Sequence, residues 1–467
     1  GIGSPGQSDV SLSLRISLAG FESECRLTTV CGEHSWSFTA TRTETARLEL
    51  AFHERKTLVL AWASLMPDDN LDGWRRDVVE TLRQVAPPVV RFPGGCFVSF
   101  YDWEATIGDR NLREPQPSHY WGGLEENDAG LDEFMRLAEL VGFSAQLCFN
   151  MMSSTPFKAR QLVEYLNAPA DEGMGRLRAI NGHPAPYGVQ YFEMDNEPGR
   201  KWTARQYAEQ CVAFSHAMRK ADPAIELMLA AYTYPVEALP HMLAIAGHDI
   251  DFVIYRQGEP AFVRTALAML DEYNTREGTR LRLVNTEWLP SCHSPEPFDD
   301  PAIPTDFSWR GDITNDYRTI FSTQQRNWNY ALNGAHRLLD YIGYGGRFAL
   351  ANFNNLCNTW GQNVIEASKD TCWLSCMGQV FAFFHRHFTT CHTCTTETGS
   401  PDVRALLTRD LEGRQRLYAV NHASTAVRVA LPEGTWRCVE SIAGANRLTV
   451  MTPEQPEPIR ASIAVAD

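Results

Sequence analysis

Several features that mark membrane, nucleic-acid-binding and glycosylated proteins are missing from this sequence. No apolar run is long enough to span a bilayer, and no Asn-X-Ser/Thr acceptor for N-glycosylation occurs. Basic residues are comparatively few, since 42 Lys and Arg stand against 57 Asp and Glu, and the formal net charge is −15. That charge disfavours a nucleic-acid or anionic-membrane partner and favours a neutral ligand.

A disulfide framework and a metal-binding motif are missing as well. The 12 cysteines are scattered along the chain, and those in predicted strands and helices are expected to pack as small apolar side chains. Cys391 and Cys394 form a CxxC pair with no second pair beside it, and no H-E-x-x-H motif occurs. We therefore predict that the chain holds no metal.

What the sequence does contain is a long alternation of strand-like and helical segments. The strands are apolar on both faces, which is typical of a parallel sheet covered by helices. At this length a (β/α)8 TIM barrel is the natural closure, although only seven strands are visible. The seven predicted strands are Val89–Gly95, Ser144–Asn150, Tyr191–Glu197, Glu226–Tyr232, Asp251–Gln257, Leu281–Glu287 and Phe348–Asn354.

The segments on either side of the barrel alternate polar and apolar residues in the manner of half-buried strands. We predict three domains on this basis. Residues 1–64 form a partial β-sandwich, residues 65–384 form the (β/α)8 barrel, and residues 385–467 form a C-terminal β-sandwich of the jelly-roll kind.

Polar side chains end several of the predicted barrel strands, namely Arg91, Asn150, Asn196, Glu197 and Glu287. In a barrel, the carboxyl ends of all strands meet at the mouth where active sites lie. A single Glu at a strand end is more often a surface or ion-paired residue. Two of them at one mouth provide the pair of carboxyl groups that glycoside hydrolysis requires.

Longer stretches of the chain resemble one family of barrel enzymes. The stretches are SLMPDDNLDGWRRDVVETLRQVAPPVVRFPGGCF, YDWEATIG, NGHPAPYGVQYFEMDNEPGR, VNTEW and GQVFAFFHRHF, and the match runs from about Ser64 to the C-terminus. They resemble glycoside hydrolase family 51, the retaining α-L-arabinofuranosidases, in the longer form that carries an inserted β-sandwich module. The resemblance implies that residues 1–64 are similar to a carbohydrate-binding module and that residues 65–384 are the catalytic barrel. The resemblance implies exo-hydrolysis of α-L-arabinofuranosyl residues from oligo- or polysaccharides by double displacement, without a cofactor. It also implies a possible homo-oligomer.

The resemblance assigns roles to individual residues. Glu197 would be the general acid/base and Glu287 the nucleophile, Asn196 would bind the hydroxyl next to the anomeric carbon, and Arg91 would lie beneath the nucleophile. Further substrate contacts are expected from Asn150, Trp121, Tyr255, Trp288 and Asn355. Two of these have simpler interpretations, since Asn150 could cap the following loop and Trp288 could be core.

The sequence departs from the family pattern in two places. The family's sixth strand usually ends in a His and a Tyr, whereas this chain has DFVIYRQGEP, in which Tyr255 would replace the expected group and Arg256 changes the polarity. The family's first barrel strand is not found, and Gly1 is not an initiator Met. We expect that strand on a missing N-terminal piece or on a partner polypeptide.

Other functions are compatible with the same residues. The barrel could carry a β-xylosidase, a galactofuranosidase or an endo-β-glucanase. From a different class, the chain could be a weakly active sugar-binding or assembly subunit, as the missing strand suggests. Activity on an aryl arabinofuranoside would distinguish the enzyme from the binding subunit.

Overall fold

The computed structural model describes these residues of the chain: 12–18, 21–27, 35, 37–39, 62–256, 260–290, 328–357, 363–368, 371–394, 400, 402–423, 436–442 and 447–453. The chain divides into two compact units, Gly1–Asn70 and Leu71–Asp467. In the first unit, β1 (Leu12–Leu18) pairs with β2 (Phe21–Leu27) in antiparallel fashion. Most of the predicted partial sandwich lies outside the described residues, so it stays a prediction.

The second unit is built on a parallel sheet of seven strands that curves into a nearly closed barrel. Its spatial order is β11-β10-β9-β8-β7-β6-β3, and the edge strands β11 and β3 also lie near each other. The predicted TIM-barrel class is therefore confirmed. The strands are β3 (Val89–Phe92), β6 (Ser144–Phe149), β7 (Tyr191–Met194), β8 (Glu226–Ala230), β9 (Phe252–Ile254), β10 (Arg282–Trp288) and β11 (Phe348–Phe353).

No eighth strand joins this sheet within the part of the chain that the structure describes. The strands β1 and β2 form a separate two-stranded sheet. The expected first strand on another segment or polypeptide, like the expected homo-oligomer, stays a prediction.

Helices alternate with the barrel strands, beginning with α1 before β3, and they contribute buried apolar residues to one core with those strands. They are α1 (Arg76–Val85), α2 (Leu131–Val141), α3 (Pro156–Asn167), α4 (Gly175–Ile180), α5 (Ala204–Arg219), α6 (Leu239–Ala246), α7 (Pro260–Glu277), α8 (Trp328–Gly343) and α9 (Cys376–His387). None of the described helices is long and apolar enough to cross a bilayer.

Helix α5 illustrates how the sequence fixes a helix against the sheet. Thr203 accepts a hydrogen bond from the Gln206 backbone N–H, and the Gln206 side chain accepts one from the Thr203 backbone. One turn further on, the buried Tyr207 hydroxyl donates to the Met194 carbonyl at 2.6 Å and accepts from the Ala230 N–H at 3.0 Å. The helix is thereby attached to the ends of β7 and β8.

The C-terminal segment forms an antiparallel five-stranded sheet in the order β14-β15-β16-β18-β17. Its strands are β14 (Cys391–Cys394), β15 (Val403–Asp410), β16 (Gln415–Asn421), β17 (Trp436–Ile442) and β18 (Leu448–Pro453). Helix α8 packs against β15 and β16. Two short antiparallel pairs complete the described strands, β4 (Gln116–Pro117) with β5 (Leu124–Glu125), and β12 (Ile365–Ala367) with β13 (Cys372–Leu374).

Two histidines meet where α8 contacts the C-terminal sheet. His336 Nδ1 lies 2.9 Å from His422 Nε2. Burial, followed by the neighbouring His336 and Arg447, lowers the pKa of His422 to about 4, and burial also lowers the pKa of His336. The folded protein therefore favours neutral imidazoles at this contact.

We expect this contact to make folding acid-sensitive. In the unfolded chain the histidines take up protons below about pH 6.5, while the folded protein resists protonation of His422 until about pH 4. As the pH is lowered through this window, the free energy of unfolding should fall by roughly 1 kcal/mol, after allowance for solvent screening. Urea denaturation at pH 7 and at pH 4.5 should therefore show a smaller decrease in the free energy of unfolding for His422→Gln than for wild type. An equal loss in both, with exposed His241→Gln as control, would contradict the assignment.

Candidate active site

The end of β7 makes a sharp turn that a buried carboxylate holds in place. Asp195 and Glu197 both have left-handed backbone conformations, with φ of +65° and +52°. The Asp195 carboxylate accepts hydrogen bonds from the backbone N–H groups of Met151 and Met152, at 2.7 and 2.8 Å, and from Ser99 Oγ at 2.7 Å. These contacts connect the ends of neighbouring strands and stabilise the unusual backbone of the turn.

Two glycines allow close approaches around this turn. A Cβ on Gly199 would lie 3.0 Å from Thr233 Oγ1, and a Cβ on Gly94 would lie 3.0 Å from Arg91 Nη1. Both distances are tighter than side-chain carbons normally accept. Glycine is therefore favoured at both positions for steric reasons. Gly199, in the Pro-Gly turn, leaves room for Thr233, and Gly94, in the RFPGG motif, leaves room for the Arg91 guanidinium.

A fully buried glutamate lies at the base of the site. Glu193 accepts from Arg91 Nε at 2.5 Å through Oε2 and from Arg256 Nη2 at 3.1 Å through Oε1. Thr286 Oγ1 and Gln146 Nε2 also donate to it, at 2.9 and 3.1 Å. Because a buried carboxylate is stable only when it is paired and hydrogen-bonded, this arrangement fixes the position of both guanidinium groups.

Glu287, near the end of β10, faces the same two guanidinium groups. Its Oε2 lies 2.7 Å from Arg256 Nη1 and 3.5 Å from Arg91 Nη1, and Asn354 Nδ2 donates to Oε1 at 3.3 Å. Burial alone would lower the pKa of Arg91, but the Glu193 carboxylate and, more weakly, that of Glu287 raise it well above its usual value. The site thus holds Glu287 between permanent positive charges.

Asn196 is oriented by the same guanidinium groups. Its Oδ1 accepts from Arg256 Nη2 at 2.7 Å and from Arg91 Nη2 at 3.0 Å, so the amide nitrogen must point the other way. There Nδ2 has only a weak contact with the Cys96 thiol, at 3.6 Å. An amide N–H fixed in this way is suited to donate to a sugar hydroxyl.

Glu197 lies on the outer side of Asn196. The Cys96 thiol donates to Glu197 Oε2 at 3.2 Å, and Arg200 forms an ion pair with the same oxygen. Burial and the hydrogen bond to Glu197 raise the pKa of Cys96 to about 11, so the thiol stays protonated. Arg200 is half exposed and lies over the Tyr120 ring at 4.7 Å. Glu197 is therefore paired with a half-exposed cation, whereas Glu287 is paired with two buried ones.

Four of the residues singled out in the sequence lie close together in the structure, namely Arg91, Asn196, Glu197 and Glu287. Asn196 contacts Arg91, Arg91 contacts Glu287, and Cys96 contacts both Asn196 and Glu197. Trp121 is partly exposed and stands edge-to-face against Tyr120 near the rim.

Other predicted contacts lie elsewhere. The amide of Asn150 caps its own loop, donating to Tyr101 O and exchanging hydrogen bonds with Ser153. Tyr255 and Trp288 are buried in the hydrophobic core, where Trp288 packs edge-to-face on Tyr341 and Phe353. The simpler interpretations given above for Asn150 and Trp288 match these positions.

Three residues of the site were not predicted as site residues. Arg256 stands where Tyr255 was expected, Asn354 contacts Glu287 where Asn355 was expected, and Glu193 connects the two arginines. Asn355 accepts a hydrogen bond from Val364 through its main-chain carbonyl. The available signal was Glu193 itself, because a charge inside an apolar strand requires a partner.

The described residues contain no group of three or more His, Cys, Asp or Glu side chains that could hold a metal ion. Cys391 and Cys394, the CxxC pair, lie on β14 of the C-terminal sheet. The side chains that the structure places at the barrel mouth include carboxyl, amide, guanidinium and thiol groups.

A parallel barrel with two glutamates at its mouth is the kind of site found in barrel glycoside hydrolases, and sequence comparison points the same way. Residues 81–276 match the family model for the alpha-L-arabinofuranosidase 1 domain. The chain is 36% identical over 175 residues to alpha-L-arabinofuranosidase C of Emericella nidulans, a match that covers 36% of this chain and 34% of that protein.

A second relative extends the match. The chain is 33% identical over 259 residues to the intracellular exo-alpha-(1->5)-L-arabinofuranosidase of Halalkalibacterium halodurans. This match covers 49% of this chain and 52% of that protein. The matches thus span about a third to a half of the length of these relatives.

Solved structures support the fold. The GH51 arabinofuranosidase from Xanthomonas axonopodis pv. citri superposes with a TM-score of 0.63 at 21% identity, over 77% of this chain and 78% of that one. Taken together, the comparisons show that this chain resembles the α-L-arabinofuranosidases of glycoside hydrolase family 51.

Proposed function

We propose that the protein is a retaining exo-α-L-arabinofuranosidase that removes arabinofuranosyl residues from oligo- or polysaccharides. The observation that carries the proposal is the placement of Glu197 and Glu287 at one barrel mouth, joined through Asn196 and two arginines. The names of the two relatives support the sugar, and one of them supports exo action.

The first half of the proposed reaction uses the two glutamates in different roles. Glu287 attacks the anomeric carbon while Glu197, in its protonated form, gives its proton to the leaving oxygen. The bond between the sugar and the leaving group breaks, and a covalent glycosyl-enzyme remains on Glu287. Glu287 is paired with two buried arginines and Glu197 with the half-exposed Arg200, and such different surroundings suit two different roles.

The second half reverses the proton transfer. Water attacks the anomeric carbon, Glu197 takes up a proton from the water, and Glu287 leaves as a carboxylate. The amide nitrogen of Asn196 would hold the hydroxyl next to the anomeric carbon throughout. A retaining enzyme needs its two carboxyl groups about 5 Å apart, so that no water fits between nucleophile and sugar.

A panel of aryl glycosides tests the sugar specificity. Wild-type protein should release the aryl group fastest from the α-L-arabinofuranoside, compared with the β-xyloside and β-galactofuranoside. Preferential turnover of another sugar would replace the proposed specificity. No turnover of any sugar by a folded sample would favour the sugar-binding subunit instead.

The role of Glu197 is tested by removing its side chain. With an activated aryl leaving group, Glu197→Ala should lower kcat by about 100-fold or more, because water attack loses its base. Added azide, which needs no base, should restore turnover and yield a glycosyl azide of retained configuration. The control is Glu209→Gln on α5, which should behave as wild type. If azide does not restore the turnover of Glu197→Ala, Glu197 is not the general acid/base.

A further inference from the structure

Arg256 is the closest positive charge to the proposed nucleophile. Its Nη1 lies 2.7 Å from Glu287 Oε2, compared with 3.5 Å for the nearest Arg91 nitrogen. Its Nη2 donates to Asn196, Glu193 and Thr286 at 2.7, 3.1 and 3.3 Å.

The Arg256 guanidinium has little freedom to move away from Glu287. The side chain is only 9% exposed. It also stacks over the Tyr232 ring, with the guanidinium carbon 4.2 Å from the ring centre. Because its partners lie on three sides, the guanidinium is held rigidly against the Glu287 carboxylate.

We propose that Arg256 is a positioning residue that makes Glu287 a better leaving group in the second half of the reaction. The inference rests on the retaining mechanism proposed above. In that step the bond between the anomeric carbon and Glu287 breaks, its electron pair returns to the Glu287 carboxylate, and the proton of the attacking water passes to Glu197. A fixed cation beside the carboxylate stabilises the charge that develops there.

The charges of the site support this direction. Around the nucleophile, the carboxylates of Glu193 and Glu287 face the guanidinium groups of Arg91 and Arg256. This group of four is balanced before reaction. Esterification of Glu287 removes one negative charge from it and leaves the two arginines in excess. That excess is relieved when the sugar leaves.

The same contact has an opposite effect on the first half of the reaction. A cation that stabilises the Glu287 carboxylate also makes it a weaker nucleophile. Arginine stays charged throughout the working pH range, so the effect is permanent. Arg256 is therefore expected to speed release of the sugar and to contribute little to, or oppose, its transfer onto the enzyme.

The test compares Arg256→Gln with wild type on a dinitrophenyl α-L-arabinofuranoside. For this substrate kcat reports sugar release and kcat/KM reports sugar transfer. We expect kcat to fall by about 30-fold and kcat/KM by less than about threefold, so that KM falls by more than about tenfold. Intact-protein mass spectrometry should show the glycosyl-enzyme accumulating in the variant.

A matched control and a conservative variant separate this role from a structural one. Arg282, at the start of β10, stacks over Phe252 at 4.7 Å in the same manner but is half exposed. Arg282→Gln should leave kcat and KM near wild type. Arg256→Lys keeps a cation, and it should recover part of kcat and remain informative if Arg256→Gln fails to fold.

Two outcomes distinguish this inference from the function on which it rests. An activated 2-fluoro-arabinofuranoside should trap a covalent sugar on wild type, and the trapped Arg256→Gln enzyme should reactivate about 30-fold more slowly. Normal trapping of wild type with equal reactivation rates, or equal losses of kcat and kcat/KM, would overturn the role of Arg256. Failure to trap any sugar on wild type would instead contradict the retaining mechanism.

Discussion

Replacing Glu287 with glutamine should lower kcat on an aryl α-L-arabinofuranoside by about 10,000-fold or more. The change keeps the size of the side chain but removes the anionic oxygen, Oε2, that lies 2.7 Å from Arg256. An amide cannot form the covalent bond to the anomeric carbon, and an improved leaving group cannot compensate. Activity assays on the aryl glycoside check the loss, with Glu209→Gln as the matched surface control.

The stereochemistry of azide rescue strengthens this test. Glu287→Ala should accept azide in the vacated space and give a glycosyl azide of inverted configuration. Glu197→Ala should give the retained configuration, because Glu287 still forms the intermediate. Inverted azide from both variants, or wild-type rates for Glu287→Gln, would show that Glu287 is not the nucleophile.

Replacing Glu193 with glutamine should destabilise the barrel by about 3 kcal/mol, the largest stability effect expected from a single change in the site. Glu193 is fully buried and compensates two guanidinium groups, at 2.5 Å from Arg91 Nε and 3.1 Å from Arg256 Nη2. Without the charge of Glu193, the two buried guanidinium groups repel each other, and Glu287 is the described carboxylate that still pairs with both. Urea denaturation measures the resulting loss in the free energy of unfolding.

Glu226 provides the control for this prediction. It begins β8, next to Glu193's own strand, but it is partly exposed and lies 3.8 Å from Arg282. Glu226→Gln should change the free energy of unfolding by less than about 1 kcal/mol, as expected for a surface ion pair. Similar losses for the two variants would mean that Glu193 does not stabilise the arginines as described.

The barrel could be predicted from the sequence because its signals are long and repeated. Seven apolar strands alternate with amphipathic helices, and each predicted segment overlaps a parallel strand of the structure, although β10 runs one residue past its segment, to Trp288. Glu197 and Glu287 could be singled out for a related reason. Each is charged and comes at the end of such a strand, where parallel strands converge.

The finer site assignments differ by one residue at two strand ends. Tyr255 and Asn355 were expected near the sugar, whereas Arg256 and Asn354 contact Glu287. Successive residues of a strand point to opposite sides, so a register error of one residue exchanges a site residue for a core residue. Sequence alone does not fix where the strand ends and the turn begins, as the left-handed backbone of Glu197 illustrates.

Glu193 could not be placed in the site for another reason. Its strand position indicates burial, but its importance depends on two arginines that are 102 and 63 positions away along the chain. Such long-range pairing follows from the barrel closure, not from any local pattern. The same holds for Cys96, whose thiol contacts Glu197 only because the turn after β3 lies beside the end of β7.

The configuration of the first glycoside formed by the enzyme tests the double-displacement mechanism most directly. Wild-type protein would be mixed with an aryl α-L-arabinofuranoside in the presence of methanol, and the anomeric proton of the new product would be followed by NMR. Two displacements, one by Glu287 and one by the acceptor, predict the methyl α-L-arabinofuranoside as the first product. A β-anomer formed first would contradict the covalent role of Glu287 and the double-displacement mechanism.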